Sequence, residues 1–204
     1  DVRMIGIDLS DEMIRIGRES IRECGLADRV ELRTGDIRKV GTLSLPPVDA
    51  INSIYTLHHL PLLEDLRACI AGIACLRRRT GCAVWVFDHC LPRNPLTAEA
   101  FPKIATPDAP TEFQNDSSNS LKASFPYDVL SSEFDDADIG RFSHVRSRLL
   151  RVFQAHWLEP APGPAPSCAG LWQNLHIPAE ILRQTRMLRH LFPTLPISAD
   201  RMAN

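Results

Sequence analysis

The chain has 204 residues, 44% hydrophobic and 24% charged, a balance that suits one globular domain of ordinary size. Its 23 Lys and Arg stand against 25 Asp and Glu, a net charge of −2, so it carries no basic field for nucleic acid and no nucleic-acid partner is expected. No apolar run approaches the roughly 18–20 residues that cross a bilayer, so no membrane partner is expected either.

Only Pro46, Pro47 and Pro61 of the sixteen prolines precede residue 90, which leaves the first part free to hold long uninterrupted elements. Val2–Leu9, rich in Ile and Val, reads as a strand buried on both faces. Ser10 follows as a helix N-cap, with Asp11 and Glu12 in the first turn where the helix dipole favours negative charge. Met13, Ile14, Ile16, Gly17, Ser20 and Ile21 form the inner face of that helix, and Gly25 ends it. Val30–Arg33 is a second strand that runs out at Thr34-Gly35-Asp36. Val48–Ser53 is a third. Leu57–Leu60 leads into a helix from Leu62 to Arg79, whose apolar residues Leu62, Leu66, Cys69, Ile70, Ile73 and Leu76 recur at three and four. Ala83–Phe87 is a fourth strand. This rhythm implies βαβ units, a parallel sheet and right-handed crossovers.

Past Asp88 the rhythm stops. Residues 92–120 are rich in Pro, Ser, Asn and Asp and read as loop with short helical pieces, and Pro126–Asp136 reads as a helix begun by proline. Phe142–Leu150 and Arg151–Leu158 alternate in part and suggest an antiparallel pair at one end of the sheet. Ala161–Pro166 is a stiff linker. Pro178–Phe192 reads as a helix, with Arg183, Arg186 and Arg189 on a solvated face. The six cysteines (Cys24, Cys69, Cys75, Cys82, Cys90 and Cys168) form no Cys-x-x-Cys pair. Most of them read as small buried hydrophobes in a reducing, cytoplasmic setting, and their spacing suggests no metal site.

Ligands of an open parallel sheet lie outside the carboxyl ends of its strands. Asp8, Asp36, Asn52 with Ser53, and Asp88 stand at those ends, a set suited to a ligand rich in hydroxyl and amine donors. His58 and His59 lie in the loop after the third strand. They read as a helix-entry turn with one ring packed and one solvated, and either is a candidate base. His89 and Cys90 read as loop residues beside the pocket.

Four stretches carry a resemblance: Ile5-Gly6-Ile7-Asp8-Leu9-Ser10-Asp11-Glu12-Met13; Gly25-Leu26-Ala27-Asp28-Arg29-Val30 with Gly35-Asp36-Ile37; Val48-Asp49-Ala50-Ile51-Asn52-Ser53 with Leu57-His58-His59-Leu60; and Gly81-Cys82-Ala83-Val84-Trp85-Val86-Phe87-Asp88. In this order they resemble the second to fifth strands of the class I S-adenosylmethionine-dependent methyltransferases, over about residues 1–90. Asp116–Leu121 and Phe153–Trp157 resemble, more weakly, a bacterial subgroup of unassigned substrate.

The resemblance implies an α/β, Rossmann-like, mostly parallel sheet with flanking helices and an antiparallel C-terminal strand pair. It implies a core over 1–160, with 92–140 as a lid over a small-molecule methyl acceptor, and 161–204 as a Pro-rich linker and helical extension of the same domain. The implied cofactor is S-adenosyl-L-methionine. Asp8 would hold its ribose beside Leu9, Ser10 and Met13. Asp36 would accept from the adenine amine, Ile37 would offer its backbone N–H, and Asn52 and Ser53 would border the methionine moiety. Tyr55 would either turn its ring to the sulfonium or pack in the core.

One departure bears on all of this. No Gly-x-Gly occurs in the chain, so the family's first strand and glycine-rich loop have no counterpart. The fold is therefore expected to be incomplete at the N-terminus, the larger carboxyl-terminal part of such an enzyme, lacking a strand between those of Asp8 and Asn52. Two other readings stand beside it: an inactive remnant serving as a binding or structural module, and an NAD(P)-dependent oxidoreductase whose ribose Asp8 would suit equally. Nothing in the sequence sets the oligomeric state.

Overall fold

The computed structural model describes residues 2–148, 150–162 and 192. Strand β1 (Met4–Asp8), helix α1 (Asp11–Glu23) and strand β2 (Val30–Thr34) make the first βαβ unit, its strands parallel with Met4 opposite Val30 and Asp8 opposite Thr34. The Ser10 side chain caps α1 by accepting the Met13 N–H, with Asp11 and Glu12 in the first turn, and Gly25 turns the chain away at a φ of 67°. The Thr34 hydroxyl donates to Asp11 at 2.6 Å and ties the end of β2 to the start of α1.

Strand β3 (Ala50–Ile54), helix α2 (Leu63–Thr80) and strand β4 (Ala83–His89) make the second unit, also parallel. Helix α2 buries Leu66, Cys69, Ile70, Ile73 and Leu76, the stripe its periodicity predicts, and ends on Gly81 in the left-handed region. Then come α3 (Pro95–Ala105), α4 (Thr111–Ala123), α5 (Tyr127–Asp136), β5 (Ser143–Arg146) and β6 (Phe153–Leu158). Strand β6 lies antiparallel to both β4 and β5, which gives one sheet in the order β3-β4-β6-β5 and a separate pair β1-β2.

The structure corrects several expectations. Residues 92–120 hold two regular helices rather than loop with short pieces. Asn94 caps α3 through the Leu96 N–H, with Pro95 at its start, and Pro110 precedes α4. Their buried residues are few, Ala98, Pro102 and Leu121, packed with Val152, Phe101 and Phe153, too thin a stripe to register as periodicity. Strand β1 is not buried on both faces: Met4 and Asp8 are exposed and only Ile5–Ile7 are half-buried, because one strand and one helix cover it. Strand β4 runs on to His89, two residues further than expected. The linker beyond residue 162 and the helix Pro178–Phe192 with its arginines fall outside the described residues. Phe192 itself is described; it is buried, edge-on to Phe87 at 5.8 Å.

Among the described residues no ladder joins β1 to β3, although Ile7 of β1 and Ile51 of β3 pack against one core with Leu66, Ile70, Ile73, Val84 and Val86. A 3₁₀ segment, Ile37–Thr42, connects the two units by lying on α2. The approach is close because two glycines meet there. A Cβ on Gly72 would fall 2.6 Å from Val40 Cγ1 and 2.8 Å from the Gly41 nitrogen, and one on Gly41 would fall 2.9 Å from the Gly72 Cα. Helix propensity alone favours Gly72→Ala by about 1 kcal/mol, whereas overpacking against backbone costs about 1–3 kcal/mol. The clash with backbone outweighs the gain: Gly72→Ala lowers the unfolding free energy by up to about 2 kcal/mol in urea titration, and an unchanged midpoint would show that the segment yields.

Candidate functional site

The site forms where β3 and β4 end. Alternation along β4 turns Val84, Val86 and Asp88 to the core and Ala83, Trp85, Phe87 and His89 to the other face. Asp88 therefore enters the core, 1% exposed, where a carboxylate must be fully paired. Its Oδ2 accepts the Leu57 N–H at 2.7 Å and the His58 N–H at 3.3 Å. Its Oδ1 takes the His89 N–H at 2.7 Å and faces His58 Nδ1 at 2.6 Å. The 3₁₀ turn Leu57–His59 has no side-chain cap from its own N-terminal residue, Thr56, so Asp88 caps it from across the fold.

This pairing sets the His58 tautomer. An ionised carboxylate only accepts, so the ring proton sits on Nδ1 and Nε2 carries the lone pair. His58 is buried, whereas His59 is exposed, its ring tilted by 39° against that of His58 at 4.1 Å between centroids. Ahead of the turn, Tyr55 takes a φ of 50°, a region costly for a residue with a side chain. Its N–H is held by the Phe87 carbonyl at 2.9 Å. Its phenol is pushed up by burial, with a smaller contribution from the Asp88 charge.

His89, read from the sequence as a loop residue beside the pocket, is instead the last residue of β4. Its ring lies 4.7 Å from Tyr55, 5.1 Å from His58 and 5.6 Å from Phe153, and its Nδ1 is buried without a hydrogen-bond partner. Burial first, then the neighbouring His58, pushes its pKa down to about 4, so the ring is neutral near pH 7. Helix α4 lies against the turn Leu57–His59, and Phe101 of α3 meets Phe153 edge-on at 5.7 Å, so residues from 92–140 border this cluster.

The cofactor candidates are not all alike. Asp8, exposed at the end of β1, accepts the Ser10 N–H through Oδ1 at 2.8 Å; among the described residues no hydrogen bond reaches its other oxygen. Leu9 and Met13 beside it are 67% and 54% exposed. This corner offers an open carboxylate oxygen beside exposed apolar side chains.

Asp36 is engaged already: Arg38 grips both of its oxygens at 2.8–3.0 Å, donates its own N–H at 2.9 Å and reaches Asp65 at 3.0 Å. Arg38 holds the Asp36 carboxyl below the usual range. Ile37 opens the 3₁₀ segment and packs on the core. Asn52 and Ser53 lie inside β3 rather than past its end. They point to opposite faces, Asn52 exposed and Ser53 half-buried, so their side chains cannot both line one ligand.

Residues 1–81 match the family model of a methyltransferase domain. No curated protein sequence matches the chain. Among solved structures it is similar to the plantazolicin methyltransferase BamL in complex with a triazolic desmethylPZN analog and SAH (TM-score 0.54, 11% identity, covering 77% of this chain and 67% of that one). It is similar also to a possible exported protein from Bordetella parapertussis (TM-score 0.53, 16% identity, 78% and 54%). A third is an O-methyltransferase family protein from Burkholderia thailandensis (TM-score 0.50, 14% identity, 79% and 45%). At these identities the likeness is one of fold, a mixed α/β core with a parallel-rich sheet and an antiparallel strand pair. The chain spans about half the length of the first solved structures it matches, 48% and 54% of them.

Proposed function

We propose that this chain forms the cofactor corner and acceptor side of an S-adenosylmethionine-dependent methyltransferase acting on a small molecule. The observation that carries the reading is Asp8. It offers an exposed carboxylate at the carboxyl end of β1, one oxygen fixed by the Ser10 N–H, within the stretch that matches the methyltransferase domain. When bound, the cofactor supplies an electrophilic methyl group on a sulfonium. The protein then has to align a nucleophile with it and exclude water.

In this reading Asp8 holds the ribose hydroxyls, with Leu9, Ser10 and Met13 around them. Asp36 and Ile37 border the adenine, the former through a carboxylate already oriented by Arg38, and of Asn52 and Ser53 only one side chain lies along the methionine side, since the two point to opposite faces of β3. His58 rather than His59 takes the acceptor's proton, because Asp88 fixes its Nδ1–H and so leaves Nε2 as the accepting nitrogen and would stabilise the imidazolium that forms. Helices α3 to α5 are the lid over the acceptor, and residues 1–160 the domain core. The unpaired cysteines, Cys24, Cys69, Cys75, Cys82 and Cys90 among the described residues, suit a reducing cytoplasm.

The parting of β1 from β3 favours a second reading, a folded module that binds without catalysing. Calorimetry separates these readings. S-adenosylhomocysteine is expected to give saturable heat and NAD none. Asp8→Ala is expected to weaken the binding by about 10–100-fold, the worth of a hydrogen bond to a charged group. A folded chain that gives no heat with S-adenosylhomocysteine sinks the methyltransferase reading for this polypeptide, and saturable heat with NAD would favour an oxidoreductase.

A further inference from the structure

A polar row crosses the core face of the sheet beside the site. Asp88 of β4 lies opposite Gln154 of β6, while His144 and Arg146 of β5 lie opposite His156 and Gln154. Gln154 and His156 are both fully buried, and their partners fix every proton between them. The Gln154 amide donates from Nε2 to the carbonyls of His89 at 2.7 Å and Phe125 at 2.9 Å, so its Oε1 is the acceptor that faces His156 Nε2 at 3.2 Å. His156 therefore carries its proton on Nε2 and a lone pair on Nδ1. That lone pair lies 2.7 Å from His144 Nδ1, which must be the donor. The other nitrogen of His144 is 3.1 Å from Asp135 Oδ1, an ionised carboxylate that can only accept.

The result is one directed chain: His144 donates to His156, His156 to Gln154, and Gln154 to the His89 carbonyl, with Asp135 beside the other nitrogen of His144. Around it, Tyr127 and Phe134 of α5 pack on the His156 ring at 5.9 and 5.5 Å, Phe142 stacks on His144 at 5.9 Å, and the Arg146 guanidinium sits 5.1 Å over Tyr127. The chain ends on the residue next to Asp88. The His89 N–H holds Asp88 Oδ1, while Gln154 holds the His89 carbonyl, so the end of β4 is pinned on both sides of one residue.

We propose that Gln154 and His156 are positioning residues of the candidate site, the donor chain from His144 keeping the end of β4 where the Asp88 carboxylate meets His58. The proposal rests on His58 as the working base and is independent of cofactor identity. A ladder that merely joined β5 and β6 to α5 would add stability and leave the His58–Asp88 bond untouched, and that difference is measurable.

The readout is the exchangeable NMR signal of the His58 Nδ1 proton in the full chain without cofactor, assigned by its loss in His58→Gln. His156→Phe keeps a ring and removes the donor to Gln154; the His58 signal is expected to shift or be lost. His156→Gln restores an N–H donor and is expected to return the signal to its wild-type position, while Ile73→Val, a core change on α2 away from the chain, leaves it unmoved. An unmoved His58 signal in folded His156→Phe overturns the proposal. Should that variant fail to fold, Gln154→Met, which breaks the last link, is read by the same criterion. Because no cofactor is present, silence in the calorimeter counts against the methyltransferase reading and leaves this result standing.

Discussion

Asp88→Ala lowers the unfolding free energy by about 3–5 kcal/mol, the range for removing one partner of a buried charged pair. The variant leaves three backbone N–H groups (Leu57, His58 and His89) and the His58 Nδ1–H without their acceptor, in a place where the lost carboxylate was 1% exposed. Each orphaned donor costs on the order of 1–3 kcal/mol if no water replaces the lost oxygen, so the turn Leu57–His59 is expected to loosen before the sheet does.

Asp88→Asn separates capping from charge. The amide oxygen still accepts the Leu57 and His58 N–H groups, but the amide nitrogen takes the place of Oδ1: it leaves the His89 N–H without its acceptor, faces His58 Nδ1 and drives the ring proton to Nε2. The asparagine variant is therefore expected to lose about 1–3 kcal/mol, the cost of one orphaned donor, while its His58 can no longer accept a proton at Nε2. Urea unfolding followed by circular dichroism checks both values. A loss under about 1 kcal/mol for the alanine variant would show that the carboxylate does not hold the turn.

The first two units were legible in the sequence because their local signals agree with one another. The cap at Ser10, the stop at Gly25 and the stripe from Leu66 to Leu76 each belong to one element and need no partner to be read. The same local reading placed acids at the strand ends, but it could not say which way they face. Asp88 shares its parity with Val84 and Val86, and that parity sends it inward. The signal was present in the alternation but was outweighed by the expectation that a strand-end acid meets the ligand.

Asp36 shows a different limit. Its capture by Arg38 two residues later depends on the 3₁₀ path after β2, which no periodicity announces. The resemblance implies a further strand between those of Asp8 and Asn52; among the described residues β1 and β3 share a core without sharing a ladder. The chain His144–His156–Gln154 was beyond reach, since it exists only through the register of β5 on β6 and of β6 on β4.

The two depressed histidines make the fold acid-sensitive. Burial, with His144 as the lesser cause, pushes His156 down to about 3, and burial with His58 pushes His89 down to about 4. In the unfolded chain both titrate near 6.5. The folded state disfavours their protonation, so the unfolded chain binds more protons below pH 6.5 and stability falls with falling pH. The contribution is whole above about pH 6.5 and is lost progressively down to about 4 for His89 and about 3 for His156.

Each histidine in that window changes the unfolding free energy by about 1.4 kcal/mol per pH unit. Allowing for the partial exposure of His89, the fold is expected to lose about 3 kcal/mol between pH 7 and pH 5. The exposed carboxylates that Arg15, Arg33 and Arg38 hold low, those of Glu12, Glu31 and Asp36, keep their charge in both states through most of this interval and add little slope. Urea titrations at pH 7, 6 and 5 check the loss, and equal stability at all three would mean that neither ring is held neutral. His156→Phe should remove about half of the slope, leaving the His89 share. That share bears on the site: a His89 that stays neutral near pH 7 does not compete with His58 for the Asp88 charge, so the carboxylate is left to stabilise a proton on His58 alone.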